Sequence, residues 1–308
     1  MSPLRARLLR GYDAFVHGLV RSATSPGTKA VQRAALFVWV AFNTLSYLPL
    51  HAHFWGARSY GGDGLFNPDN PFHWYSRVMM HPRVAPYYPL FIAVQLGAAL
   101  LALLGIRLWT MTLLVHVTTV NLFNKAWMTL DGGHNLVSLM LTYMLFMNLP
   151  QSDGGAPVQT ALSNAALVMM RLQVVAVYLT AGLCKVGGEL WQSGMALFYV
   201  LQVDRYSHPA VRGLLADHAW MSVVATYATV AFQLAFPPLV WVRRARPWLL
   251  AAGVFFHLQI AFVMGLTTFG LAMIVAYACF LPEAWSQAIL RAAQRWRRAV
   301  LAAPDPAP

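Results

Sequence analysis

The chain has 308 residues, 58% of them hydrophobic and only 10% charged, with a formal net charge of +12 and a mean hydropathy of +0.53. A soluble domain carries roughly 25% charged residues, so this composition excludes an ordinary soluble enzyme. The surplus Lys and Arg flank apolar runs instead of forming one continuous face, which points to membrane topology and away from nucleic acid as a partner.

Residues 4–21 interleave Arg5, Arg7, Arg10 and Arg21 with Leu4, Leu8, Leu9, Phe15, Val16 and Leu19, the pattern of a basic amphipathic helix in the membrane interface. The first 30 residues lack a signal peptide's apolar core and small-residue cleavage site, so the N-terminus is expected to be retained. Apolar runs approaching the ~20 residues that cross a bilayer follow at 34–50, 89–106, 108–125, 134–150, 164–185, 220–242, 248–266 and 268–282. A long loop, 51–88, carries His51, His53, His73 and His81. The turn Asp131-Gly132-Gly133-His134-Asn135 opens the fourth run, a polar connector covers 151–163, and a second long polar loop covers 186–218. The basic turn Arg243-Arg244-Ala245-Arg246-Pro247 precedes the seventh run, and 284–301 reads as a basic helix with Arg291, Arg295, Arg297 and Arg298. The expected fold is an all-α polytopic membrane helical bundle of about eight transmembrane helices, with interfacial amphipathic helices at both ends. It divides into an N-terminal interfacial segment, 1–30, a transmembrane domain, 31–283, and a basic tail, 284–308.

An even number of crossings puts both termini on one side, with Arg107, the 243–246 turn and the tail. By the positive-inside rule that side is cytoplasmic. His134 and the end of the fifth run at Lys185 then share the outward face.

The fifth run holds the densest chemistry. Arg171, Tyr178 and Lys185 stand at i, i+7 and i+14, one face of a helix. Charges inside a span are costly and mark interiors, cavities or functional groups. Arg171 can equally be an anchor for backbone carbonyls and Lys185 can simply snorkel to the interface. An amine walled by Tyr178 and Trp191 is poorly hydrated and available as a base. His134, behind two glycines, is placed to position or polarise a substrate. His257 is a second ionisable group within a run, read either as functional or as hydrogen-bonded to a neighbouring helix. Gln95, Asn121, Asn124, Gln173, Gln233 and Gln259 read mostly as interhelical glue. The loop histidines, with Asp63 and Asp69, match no metal-ligand spacing, and no metal site is expected. Phosphate-cradling loops, nucleophile elbows and zincin helices are absent from the sequence. Cys184 and Cys279 both lie in apolar runs, so no disulfide framework is implied.

The series Arg171-x-Gln173, Tyr178, Ala181-Gly182, Lys185, Trp191 and Gly194, together with Gly133-His134-Asn135 and Phe256-His257, resembles the membrane core of the vitamin K-dependent gamma-carboxylase. That enzyme belongs to the HTTM (horizontally transferred transmembrane) superfamily. The resemblance covers about residues 20–285 and departs at Cys184, where the carboxylase has a second lysine. It implies that Lys185 is the base acting on a reduced quinone (menaquinol or vitamin K hydroquinone) and that His134 assists. Arg171, Gln173, Tyr178, His257, Asn135 and Trp191 would line the substrate and cofactor cavity. It also implies O2 and CO2 as co-substrates of a carboxylation, a lipid quinone in the bilayer, and an exported peptide or protein as the modified partner. The expected location is a bacterial inner membrane, with the active site facing outward. Two other readings stand beside it: a non-enzymatic factor for maturation or export of a secreted peptide, working with an accessory protein, and a transporter using Arg171 and His257.

Overall fold

The computed structural model describes residues 24–56, 81, 83–150, 157–207 and 209–301, and among these it is helical without strands. The expected helix over 4–21, and His73 with most of the 51–88 loop, lie outside the described residues.

Helix α1, Pro26–Tyr47, runs on through a 3-10 turn into the short α2, His51–Phe54. Tyr88–Leu103 is α3 and Leu108–Lys125 is α4, joined by a turn in which Gly105 takes φ +82. Gly132–Met147 is α5, Pro157–Val186 is α6, and Glu189–Gln192, Ala196–Gln202 and Pro209–Asp217 are the short α7, α8 and α9. Ala219–Leu239 is α10, Arg246–Phe262 is α11 and Thr267–Ala276 is α12. A 3-10 turn, Tyr277–Phe280, leads to the tail helix α13, Glu283–Leu301.

Every apolar run of the sequence coincides with a helix, but the helices are not uniformly long enough to span. Pro26–Phe54, Pro157–Val186 and Ala219–Leu239 are long and apolar enough to cross a membrane. A fourth candidate arises when Thr267–Phe280 and Glu283–Arg298, bent by 113°, are counted together. At about 1.5 Å per residue, the 16 residues of α3 and of α5 and the 10 of α12 fall short of a ~30 Å hydrocarbon core. The runs overstate the spans because hydropathy continues through turns. Residues 277–280 tighten into a 3-10 turn and end α12 early.

The core lies where α1, α5, α6 and α12 meet. Leu36, Phe37 and Val40, Val137, Met140 and Met144, Met170 and Val174, and Met273 and Ala276 are buried there. Small residues set the close approaches. A Cβ on Gly270 of α12 would stand 2.8 Å from Ala261 Cβ of α11, and one on Gly182 of α6 would meet Leu234 of α10 at 2.8 Å.

One end of the bundle is closed by Glu283 at the start of the tail helix. Its carboxylate accepts hydrogen bonds from Gly27 N (2.8 Å), Thr28 N (3.0 Å) and Thr28 Oγ1 (3.2 Å), satisfying amides at the N-terminus of α1. Desolvation alone would raise the Glu283 carboxyl, but hydrogen bonds from Gln287, Gly27 and Thr28 outweigh it and hold the group below its ordinary value of 4.5. A depressed folded pKa contributes stability that is present above 4.5 and is lost as the pH falls through the folded value. We expect the melting temperature of the detergent-solubilised protein to fall across that acid window. Glu283→Gln should flatten this part of the pH profile, and an unchanged profile would refute the contribution of this contact.

Candidate functional site

The opposite end of the bundle carries two groups singled out from sequence. Asp131, with extended backbone (φ −124), caps α5: its Oδ1 accepts from Gly133 N at 2.8 Å and His134 N at 3.1 Å. His134 completes a capping box. Its Nδ1 lies 2.8 Å from Asp131 Oδ1 and 3.1 Å from the Asp131 amide, and its Nε2 lies 3.1 Å from Asn43 Oδ1. With Nδ1 accepting from the Asp131 amide, as the capping box requires, the ring proton sits on Nε2 and is donated to Asn43 Oδ1; a second proton, on Nδ1, would be donated to Asp131 Oδ1. Thr268 Oγ1 donates to the other carboxylate oxygen at 2.8 Å. Desolvation would raise the Asp131 carboxyl, but the hydrogen bond and charge of His134, with Thr268, hold it below its ordinary range. Trp39 and Phe123 meet the imidazole edge-on, at centroid distances of 5.5 and 4.9 Å, leaving it 1% exposed. Gly133 is required because a Cβ there would lie 2.9 Å from Phe269 Cα and Ala272 Cβ.

Lys185 occupies the last turn of α6. Its Nζ makes a long hydrogen bond to Ala181 O, 3.4 Å, and lies 4.9 Å from the Trp191 ring centroid. Trp191 is placed by the break at Gly187-Gly188, after which α7 turns back across the helix end. Tyr227 OH ties that turn to α10 by donating to Gln192 O at 2.7 Å, and Gly194 leaves it at φ +76, where a Cβ would strike Val223. No carboxylate lies within ion-pair distance of Lys185 among the described residues, whose ion pairs are His134–Asp131 and Arg212–Asp204. Leu183, Val186 and Leu190 around it are exposed apolar side chains.

Lys185 and His134 are thus at one end, but their partners are different residues. Counting up both helices from the Tyr143 OH to Gln173 Oε1 hydrogen bond (3.3 Å), nine residues on α5 and twelve on α6, their levels differ by about 5 Å. The remaining expected site residues divide. Tyr178 and His257 meet in the core: Tyr178 OH lies 2.6 Å from His257 Nε2 and is also hydrogen-bonded to Tyr277 OH. Phe236 stacks on Tyr178 at 4.1 Å, and the buried His257 Nδ1 has no hydrogen-bond partner among the described residues. Gln173 turns to α5, Asn135 is exposed on the first turn of α5, and Trp191 covers Lys185. Arg171 is fourteen residues, about 21 Å, from Lys185 along α6, where its Nε donates to Cys279 O at 2.7 Å. It holds a backbone carbonyl beside the middle of α6.

Asn43, Thr268, Tyr277 and Phe236 complete these clusters and carried no signal in the sequence. Asp131 had one, since Asp-x-x-His followed by an apolar run is a variant of the capping-box pattern.

Helices long and apolar enough to cross a bilayer, together with buried polar clusters inside an apolar bundle, define an integral membrane helical protein. The HTTM domain model matches residues 59–285, most of the chain. The chain belongs to the HTTM family, which is related to the membrane domain of the vitamin K-dependent gamma-carboxylase. No curated protein and no solved structure matches it.

Proposed function

We propose that this HTTM protein is a gamma-carboxylase-like membrane enzyme that oxidises a reduced lipid quinone at the Lys185 end of the bundle and couples the oxidation to modification of an exported peptide or protein. The observation that carries this reading is the Lys185 amine, seated on an indole face, flanked by lipid-facing side chains and without an acidic partner among the described residues. A salt-bridged lysine would be held charged; this one is free to accept a proton. In this reading the bundle sits in a bacterial inner membrane, both termini are cytoplasmic, and Lys185 and His134 face outward.

The donor set fits a quinol. The Trp191 face suits a flat ring, Leu183, Val186 and Leu190 suit an isoprenoid chain, and the amine suits a phenolic hydroxyl. A reduced quinone bound there would be oxidised by O2 through four electrons, one oxygen atom entering the ring as the epoxide and the other leaving as water. Lys185 takes the phenolic proton. His134, with its ring oriented by Asp131 and Thr268, is a fixed polar partner at the same end. Tyr178, His257 and Tyr277 form a buried polar support beneath, with His257 Nδ1 lacking a hydrogen-bond partner among the described residues. CO2 is the co-substrate when the modification is a carboxylation.

Mass spectrometry of lipids extracted from protein purified in mild detergent tests the binding step. We expect a lipid quinone to co-purify with the wild type and to be depleted several-fold by Trp191→Ala. Wild-type protein free of quinone, and unable to bind added menaquinol, would overturn the reading.

A further inference from the structure

The end of the bundle opposite Lys185 gathers cations from separate elements. Lys29 of α1 is 7% exposed and donates from Nζ to Asn164 Oδ1 (2.7 Å) and Ser163 Oγ (2.9 Å). Arg171 of α6 donates to Cys279 O, and Arg246 of α11 donates from Nε to Val240 O at 2.8 Å. Asn164, which holds Lys29, stands two helical turns before Arg171 on α6, and Trp241, whose carbonyl lies 3.5 Å from Arg246 Nη2, packs edge-on against Phe280, the neighbour of Cys279. The hydrogen bonds described for Lys29, Arg171 and Arg246 thus all go to neutral oxygens.

Acidic compensation is lacking here among the described residues. Of their five carboxylates, Asp131, Glu189, Asp204 and Asp217 belong to the other end. Glu283 is at this end, but its oxygens are taken by Gly27, Thr28 and Gln287. Like charges held together in a poorly hydrated setting are unfavourable unless an anion joins them. Arg171 is about 21 Å from Lys185 along α6, two thirds of a ~30 Å hydrocarbon core. Its guanidinium and those of Arg243 and Arg246 therefore reach the headgroup level of the opposite leaflet.

We propose that the strip formed by Lys29, Arg171, Arg246 and Arg243 binds the phosphate of an anionic phospholipid headgroup. Guanidinium groups offer paired N–H donors matched to phosphate oxygens, and Arg171 and Arg246 retain donors beyond those spent on carbonyls. Lys29 supplies a buried point charge behind them. Basic recesses between helices at the inner leaflet are the usual setting for such headgroups. This inference is independent of the quinone reading and concerns the other end of the molecule.

The experiment uses the full chain in a neutral detergent, with its thermal stability read on adding phosphatidylglycerol, phosphatidylcholine of the same acyl chains, or inorganic phosphate. Phosphatidylglycerol is expected to raise the melting temperature by several degrees and phosphatidylcholine to leave it unchanged. The Arg171→Gln/Arg246→Gln double variant should lose the preference at least tenfold in apparent affinity, and the tail variant Arg291→Gln/Arg295→Gln should keep it. Should the first pair fold poorly, Arg243→Gln/Arg246→Gln, at the exposed edge, is expected to weaken the preference in the same direction. Equal stabilisation by both lipids, or equal loss in the tail variant, would overturn the site. Inorganic phosphate alone reproducing the full shift would overturn the lipid assignment.

Discussion

Lys185→Ala is expected to lower quinol-dependent oxygen uptake by about 10²- to 10⁴-fold, the usual contribution of a positioned general base. The amine is the proton acceptor in the proposed reaction, and its removal leaves the Trp191 face and the apolar flank intact, so the loss should fall on kcat more than on KM. The fold should tolerate the change, because among the described residues Lys185 makes one long hydrogen bond, to its own helix, and one ring contact. Lys185→Arg should not rescue, since a guanidinium remains charged and cannot serve as a base. Arg212→Ala removes a surface ion pair with Asp204 at the same end of the bundle and should retain the wild-type rate. Uptake unaffected by Lys185→Ala, measured with an oxygen electrode, would remove the base from the mechanism.

Gly270→Val is expected to have the largest effect on stability. A Cβ at this position would stand 2.5 Å from His257 O, 2.8 Å from Ala261 Cβ and 3.1 Å from Ala261 N. Two of these are backbone atoms of α11, so no side-chain rotation relieves the clash and the two helices must separate. Overpacking of this kind typically costs about 1–3 kcal/mol, and the two further methyl groups of valine add to it. Separation would also draw His257 away from Tyr178 and unpick the buried cluster with Tyr277. The control is Gly97→Ala, where nothing lies within 4 Å of the added Cβ; alanine's helix preference should hold or raise the melting temperature. Size-exclusion profiles after heating would show the contrast, and equal profiles for the two variants would contradict the close α11–α12 contact.

Much of the helical order was legible because hydropathy reports apolar runs directly, and each run became a helix. Span length was less legible. The run at 268–282 reads as one segment, yet Tyr277–Phe280 is a 3-10 turn and the chain then bends by 113°. The face shared by Arg171, Tyr178 and Lys185 follows from helical spacing, but one face over about 21 Å meets three different neighbours. Arg171 finds the Cys279 carbonyl, Tyr178 finds His257 and Tyr277, and Lys185 finds Trp191. Gln173 is only two residues from Arg171 and therefore points to α5 instead. His134 was legible as a polar group at a helix entrance. The residues that fix its ring were not, apart from Asp131, because Asn43 comes from α1 and Thr268 from α12, with nothing in the local sequence to announce either.

The most direct test of a proton-accepting amine serving an oxygen-dependent quinol oxidation is the fate of isotopic oxygen. Purified protein given menaquinol under ¹⁸O₂ should yield quinone epoxide carrying one labelled atom, at a rate set by the presence of Lys185. Formation of unlabelled quinone alone, or of labelled epoxide at the same rate in wild type and Lys185→Ala, would contradict the account.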